Sequence, residues 1–505
     1  MNAPAAWDAI CIGAGITSLA FGAQLVQRHP AARILVIDKH CVPGGYATVF
    51  QRPKAGAAFD CSLHKLSGMG EGGNLQRIFA ELGLENELTL AYPPDYFEAC
   101  LPGRTIRFGN SVDAFHQRLA AEFPHEQAGL DQFFDEVAVH GRNGYFQFQM
   151  MDGSFEADFT QLRYAHRHLK NISVAQALAA RFTDPWLRDI LAATGIYVGG
   201  FPEDLGYLYF LHVVYATLSK GNAYVEGASQ HLSNVLTRRI VDAGGAILLG
   251  TTVRKVLSDA AGQVLGVATS RGDFLSNMVY VNAAPHYALR HLFDGEPGLD
   301  AVVRKLDKLV PSRSTTTLYL RTDVAPAALG LDSTETMVFA HGADDCLAAR
   351  ARCATGDAAR CEQAYWRDGV MEVTNYHALD AAGGHTVCAN VLDAMGHWPQ
   401  RRDAGYKAKK ARAQEALLAR LYAAKPGLRG HVVFAELSSP RTYERFTNNT
   451  DGAGYGAMVG TDLSGHLFHH GFPIRGIHFL SAWVAGPSYE AAFGYAEMKA
   501  KQWAA

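Results

Sequence analysis

The tightest constraint on this chain lies between Asp8 and Asp38. Asp8-Ala9-Ile10-Cys11-Ile12 is a short, mostly apolar run suited to a parallel strand buried on both faces. It leads directly into Gly13-Ala14-Gly15-Ile16-Thr17-Ser18, after which Leu19, Ala20, Ala23 and Leu25 recur at helical spacing. A second apolar run, Arg33 to Ile37, ends at Asp38. Strand, glycine turn, helix, strand and terminal acid, in that order, make the α/β layout of a Rossmann dinucleotide-binding unit. Gly13 permits the tight turn. Gly15 lets the backbone approach a pyrophosphate, which the free N–H groups and positive dipole end of the helix would hold. Ser18, at the third-glycine position, keeps helix and strand close, and Asp38 is placed to accept hydrogen bonds from ribose hydroxyls. A glycine-rich turn with no ligand is the bland alternative, and both strands and the acid weigh against it.

The segment after Asp38 separates FAD from NAD. Lys39-His40-Cys41-Val42-Pro43-Gly44-Gly45-Tyr46-Ala47-Thr48 resembles the P-G-G-x-x-x-T extension of the FAD-binding amine oxidase and phytoene desaturase superfamily, with its Thr one place early. The resemblance implies that Gly44 and Gly45 fold the chain back along the cofactor, and it counts Lys39 and Thr48 among the cofactor contacts. Phe59 to Gly68 resembles the F-D-x-G-x-H-x-x-G segment of retinol saturases, with Ser62 in place of Gly and Gly68 one place late. Carotenoid isomerases and phytoene desaturases have a similar segment without the His. Tyr224 to Gln230 resembles their Y-P-x-G-G-S-Q stretch, and a helix from Leu232 to Ala243 should come next, closed by Gly244-Gly245. Strands are expected at 246–249 and 253–257; the resemblance sets the backbone of Val253 against the adenine ring. Val279 to Pro285 is similar to the V-x-N-A-x-P corner.

Near the C-terminus, Arg441 to Phe446 and Gly452 to Gly456 resemble the P-x-T-x-x-R-x-T and G-A-x-Y-G segments. Gly476 to Trp483 stands in place of G-L-Y-L-x-G-D, so Ser481-Ala482 replaces the usual Gly-Asp, or the Gly-Gln of retinol saturases. Ala482 cannot hold the ribityl hydroxyls as those side chains do. A helix is expected from about Ser488, with Ser488 and Tyr489 at its start and Pro487 and Glu490 as N-terminal signals. In the superfamily this helix points at the pyrimidine edge of the isoalloxazine.

These matches imply a discontinuous, Rossmann-type FAD-binding domain from residues 1–105, 220–300 and 435–505. A mixed α+β substrate domain would take 106–219 and 301–434. The latter holds an aromatic-rich stretch (Phe133, Phe134, Tyr145, Phe146, Phe148, Phe155, Phe159) that reads mainly as core, with a lipid-facing or tunnel-lining role as the second reading. A basic cluster, Lys407, Lys409, Lys410 and Arg412, opens a helix over 406–421 and reads as a solvated face. Gly342 to Arg360 looks like an exposed insertion.

Length and composition bound the rest. At 505 residues more than one domain is expected, and a net charge of −3 without a long basic run gives no footprint for nucleic acid. The 8 cysteines show neither C-x-x-C nor metal-site spacing and read as reduced thiols. No apolar stretch is long enough to span a membrane. The strand at Asp8 leaves no room for a signal peptide, so the chain reads as cytoplasmic, with peripheral attachment to a membrane left open. Oligomeric state is not legible.

The resemblance implies an FAD-dependent oxidoreductase that desaturates, saturates or isomerises carbon–carbon bonds of a hydrophobic polyene or isoprenoid such as a carotenoid or retinoid. The alternatives are an amine or amino-acid oxidase on the same fold, and a non-catalytic prenyl-binding chaperone like the Rab GDP-dissociation inhibitors. His64 is the candidate catalytic residue, as proton donor or substrate positioner, because an imidazole titrates near neutrality. Its plainer reading is a backbone hydrogen bond within a cofactor loop. Neighbouring Lys65 could serve instead, or point to solvent.

Overall fold

The apolar runs flanking the glycine turn become the centre of a five-stranded, all-parallel sheet. Ala9–Ile12 lies between Ile34–Ile37 and Val279–Val281, with Ala246–Leu248 and Ile477–Phe479 at the edges. All residues of the first two strands are buried, as their unbroken apolar sequences require. The helix Ile16–Arg28 packs against both Ala228–Asp242 and Tyr489–Lys501. An antiparallel three-stranded sheet, Val253–Ser258, Val264–Thr269 and Gly272–Leu275, adds Val256, Val264 and Val267 to the same core. The structure is a computed structural model describing residues 7–503 except 63, 294, 297, 354–356 and 461–471. The leader argument at residues 1–6, Leu63 of the His64 segment and residues 354–356 of the insertion thus lie outside the described residues.

A seven-stranded sheet builds the second core. Its order is Val432–Ser438, Ser314–Thr322, Thr386–Asp393, Met371–Asn375, Glu335–Val338, Asp95–Leu101 and Arg104–Gly109, antiparallel except between Glu335–Val338 and Asp95–Leu101. The boundary expected at residue 105 falls inside the last of these strands. Alternation along a strand gives this sheet two different faces. Leu318 and Leu320 belong to the second core, whereas Tyr319 between them packs into the first. Cys388, between Val387 and Ala389, does the same.

Two expectations need correction. Gly342 to Arg360 is not simply exposed: it carries the helices Ala343–Cys353 and Ala358–Glu362, with Cys346, Ala349 and Cys353 buried. Nor are all the thiols reduced, because Cys353 and Cys361 form a disulfide while six cysteines stay free. The ends of these two helices hold the Cα atoms of Cys353 and Cys361 4.7 Å apart, within disulfide reach, a proximity that no C-x-x-C motif announces. In the basic cluster, Lys407 and Arg412 are solvated. Lys409 is buried, pairing with Glu362 at 3.1 Å and lying over Trp366. The aromatic stretch divides: Phe133, Phe134 and Tyr145 are core, and Phe159 is exposed. Among the described residues no helix is long and apolar enough to cross a membrane.

Candidate functional site

The glycine turn is shaped by what packs on it. Gly13 has φ +99°, which a side chain would strain, and a Cβ there would lie 3.1 Å from the Asn282 carbonyl oxygen. Gly15 has an ordinary φ of −70° as N-cap of the helix Ile16–Arg28, but a Cβ there would sit 2.7 Å from Asn282 Nδ2. Asp38 holds the turn by accepting from the Ala14 amide at 2.7 Å and from the His40 amide at 2.8 Å. Lys39 is exposed, and partial burial of its ammonium lowers its pKa, opposed by Asp38. Ser18 is fully buried one turn into the helix.

The Pro-Gly-Gly segment folds back over this turn. The Gly44 amide donates to the Ala14 carbonyl at 2.7 Å, and a Cβ on Gly44, whose φ is +122°, would run into the Ala47 carbonyl. A Cβ on Gly45 would lie 3.1 Å from Gly15 Cα. Thr48 donates to Gln230 at 2.5 Å, and the Asp60 carboxylate accepts from the Ser229 amide and hydroxyl at 2.8 and 2.9 Å. Thr48, just before the strand Val49–Arg52, and Asp60, on its partner strand, are thereby tied to the distant 229–230 segment. Val253 is buried opposite Thr269 in the small antiparallel sheet.

A cavity of about 390 Å³ opens beside this cradle. Ile16, Thr17, Tyr46 and Ala47 form its near wall; Thr317, Tyr319, Glu372 and Asn390 of the seven-stranded sheet form its floor. The C-terminal segment from Ala482 to Ala492 closes another side. Of the sequence candidates, His64, Ala482, Ser488 and Tyr489 line the cavity. Gly13, Gly15, Ser18, Asp38, Lys39, Gly44, Gly45, Thr48 and Val253 do not; most of them form the cradle behind its wall. Ala482 begins a short helix, and Ser488, at φ +99°, caps the helix Tyr489–Lys501 by accepting from the Ala491 amide at 3.1 Å. Burial pushes the Tyr489 phenol up.

The chemistry of the wall is concentrated in a buried charged cluster. His64 Nδ1 lies 2.8 Å from Glu372 Oε1, and its ring meets Tyr197 edge-on at 5.6 Å. Lys65 Nζ lies 2.6 Å from Glu335 Oε2 and 4.7 Å over the Tyr96 ring, with only 6% of its side chain exposed, so it does not point to solvent. The Tyr197 hydroxyl donates to Glu335. Among the described residues the partner of the His64 ring is a carboxylate, not a backbone carbonyl. Glu335 and Glu372 stand on neighbouring antiparallel strands, with Glu335 opposite Thr374 and Glu372 opposite Met337. They are diagonal neighbours on one face.

Burial and the facing Glu372 push the Glu335 carboxyl up, against Lys65 and His64. Burial would raise Glu372 too, but the His64 contact outweighs it, and hydrogen bonds from Glu335 and Asn390 help hold Glu372 low. Burial works to lower His64, yet Glu372 and Glu335 overcome it and lift the imidazole above its ordinary value. The proton of the carboxyl pair therefore favours Glu335, leaving a carboxylate beside a protonatable imidazole on the cavity wall.

Glu335, Glu372 and Tyr197 were not found by sequence reasoning. The only signal was a lone Glu inside each of two otherwise uncharged strands, Glu335–Val338 and Met371–Asn375.

Residues 11–82 match the model of the NAD(P)-binding Rossmann-like domain. The chain is 24% identical over 475 residues to the chloroplastic prolycopene isomerase of Arabidopsis thaliana, an alignment covering 90% of this chain and 74% of that protein. It is 26% identical over 358 residues to the all-trans-retinol 13,14-reductase of Rattus norvegicus, covering 66% and 57%. Among solved structures, putrescine oxidase superposes with a TM-score of 0.64 at 17% identity over 99% of this chain and 98% of that one, a likeness of fold.

Fold, cradle and comparisons together define the chain as an enzyme of the flavin-type oxidoreductases, built on a Rossmann dinucleotide-binding unit. Within that class its sequence is similar to carotenoid isomerases and retinol reductases, as the motifs had implied.

Proposed function

We propose that the chain binds FAD without a covalent link and acts on carbon–carbon bonds of a hydrophobic polyene such as a carotenoid or retinoid. One observation carries the reading: a buried imidazole–carboxylate pair lines a largely apolar cavity whose near wall, Ile16, Thr17, Tyr46 and Ala47, backs onto the glycine cradle. The cradle suits the cofactor. The first helix has a glycine N-cap and no side-chain cap, so its leading amides are free for a pyrophosphate. In this reading Gly13, Gly15, Ser18, Asp38, Lys39, Gly44, Gly45, Thr48 and Val253 hold the dinucleotide, while Ala482, Ser488 and Tyr489 border the flavin. The cofactor unit comprises about residues 1–105, 220–300 and 435–505, with the seven-stranded sheet as floor of the substrate side.

When bound, the flavin supplies a two-electron donor and acceptor. The chain's own part is to orient and to manage protons. Tyr197, Val198, Val213 and Tyr455 wall off water, His64 holds a proton at Nε2 toward the cavity, and Glu372 fixes the ring through Nδ1. Glu335, Lys65 and Tyr197 act behind this pair by setting its charge.

The test is spectral. Purified yellow protein, mixed anaerobically and aerobically with carotenoid and retinoid candidates, should show flavin reduction or reoxidation and an altered polyene spectrum. Steady peroxide release with amines would indicate an amine oxidase instead. A colourless protein that binds prenyl lipid would indicate a carrier.

A further inference from the structure

The cavity wall carries a second acid outside the His64–Glu372 cluster. Glu490 sits in the first turn of the 13-residue helix Tyr489–Lys501, lines the cavity, and is 7% exposed. Its Oε2 accepts from the Ser67 hydroxyl at 2.8 Å, whereas Oε1 makes no well-formed hydrogen bond among the described residues. The surroundings are built to hold it. A Cβ on Gly68 would strike Oε1, so only glycine leaves room for the carboxyl there. The Tyr145 hydroxyl stands beside it and takes the Asn74 amide at 2.7 Å, while the Asn74 side chain accepts from Gln149 at 2.7 Å. Ser67, Asn74, Tyr145 and Gln149 all line the cavity. A buried acid on the wall of a ligand cavity, whose second oxygen has only the Tyr145 hydroxyl beside it, has room for a partner supplied by the ligand.

We infer that Glu490 is a cofactor-facing carboxyl: in its neutral form it donates a hydrogen bond to a carbonyl oxygen of the bound flavin. The inference rests on the flavin reading. A carboxylic acid can donate only while protonated. Burial raises Glu490 to about 7, with Tyr145, Ser67 and Lys220 pulling it back. The titratable groups facing it from other elements are Tyr145, Tyr209 and Lys220, and burial keeps His212, next to Tyr145, neutral down to about 4. Burial thus brings titration of the Glu490 carboxyl to neutral pH while raising the Tyr209 phenol and lowering His212.

Flavin affinity should therefore depend on pH. Apoprotein is titrated with FAD from pH 5.5 to 8.5, reading the dissociation constant from flavin fluorescence. The wild-type constant should be level below about 7 and rise roughly tenfold per unit above it. Glu490→Gln keeps a donor that cannot ionise and should bind FAD with a flat profile. Ser67→Ala removes a bond that favours the carboxylate, so its midpoint should move up. His64→Gln should keep the wild-type slope, which excludes the other acid–base cluster as the source. A flat wild-type profile, or a Glu490→Gln profile with the wild-type slope, overturns the inference. Should Glu490→Gln fail to fold, the Ser67→Ala midpoint decides. If wild-type protein binds no flavin at any pH, the flavin reading itself falls.

Discussion

Replacing His64 by Gln separates the two contributions of the His64–Glu372 pair. The variant keeps a hydrogen-bonding side chain but removes the cation facing Glu372, whose side chain is 2% exposed. Breaking a buried pair from one side costs about 3–5 kcal/mol, because the remaining charge must stay desolvated or take up a proton. Asn390, which donates to Glu372 at 3.4 Å, offsets part of this, so about 3 kcal/mol is expected. The loss should vary with pH in a definite sense. His64 is raised above 6.5, so its contribution is complete below 6.5 and fades as pH climbs through the folded value. Glu372 is lowered below 4.5, so its contribution is complete above 4.5 and fades as pH falls through its folded value. Urea denaturation should show the variant most destabilised between pH 4.5 and 6.5, with the gap closing on the alkaline side. A gap of equal size at pH 6 and pH 9 would refute the ion-pair argument. With flavin content normal, turnover on a responsive polyene should fall about 10²-fold or more. Unchanged turnover would remove His64 from the mechanism.

Gly15→Leu should yield folded, colourless protein, because a side chain there takes the space of the cofactor phosphates; a folded variant with stoichiometric flavin would contradict this. Ala482→Asp restores a side chain able to hold the ribityl hydroxyls. It should tighten FAD about tenfold, worth ~1–2 kcal/mol, in equilibrium dialysis; looser binding would mean that Ser481 or Trp483 shapes that wall instead. Cys353→Ser opens a cross-link spanning 8 residues and should cost about 2 kcal/mol of thermal stability, as should reductant on the wild type, with no further effect of reductant on the variant.

The Rossmann unit was legible because its pattern is local: strand, turn, helix, strand and acid all fall between Asp8 and Asp38. The helix expected near Ser488 was legible for the same reason, with Ser488 as its cap. The charged cluster was not. His64 meets Glu372 across 308 positions through a sheet whose strand order periodicity does not reveal. Glu335 in E-T-M-V and Glu372 in M-E-V-T look like the outward residues of half-exposed strands, but both are buried. The disulfide was missed because it joins two helices, Ala343–Cys353 and Ala358–Glu362, that the polar composition of Gly342 to Arg360 disguised.

The closing of Asn282 over Gly13 and Gly15 has a consequence for the order in which the molecule can be made. The glycine turn leaves the ribosome before Asn282, which packs on it from 267 positions after Gly15. The edge strand Ile477–Phe479 emerges later still. Until Val279–Val281 emerges, the central strand Ala9–Ile12 has only Ile34–Ile37 beside it, and Val279–Val281 then stays an open edge until Ile477–Phe479 pairs with it. The glycine turn thus precedes in the chain, by hundreds of residues, the segments that complete its packing.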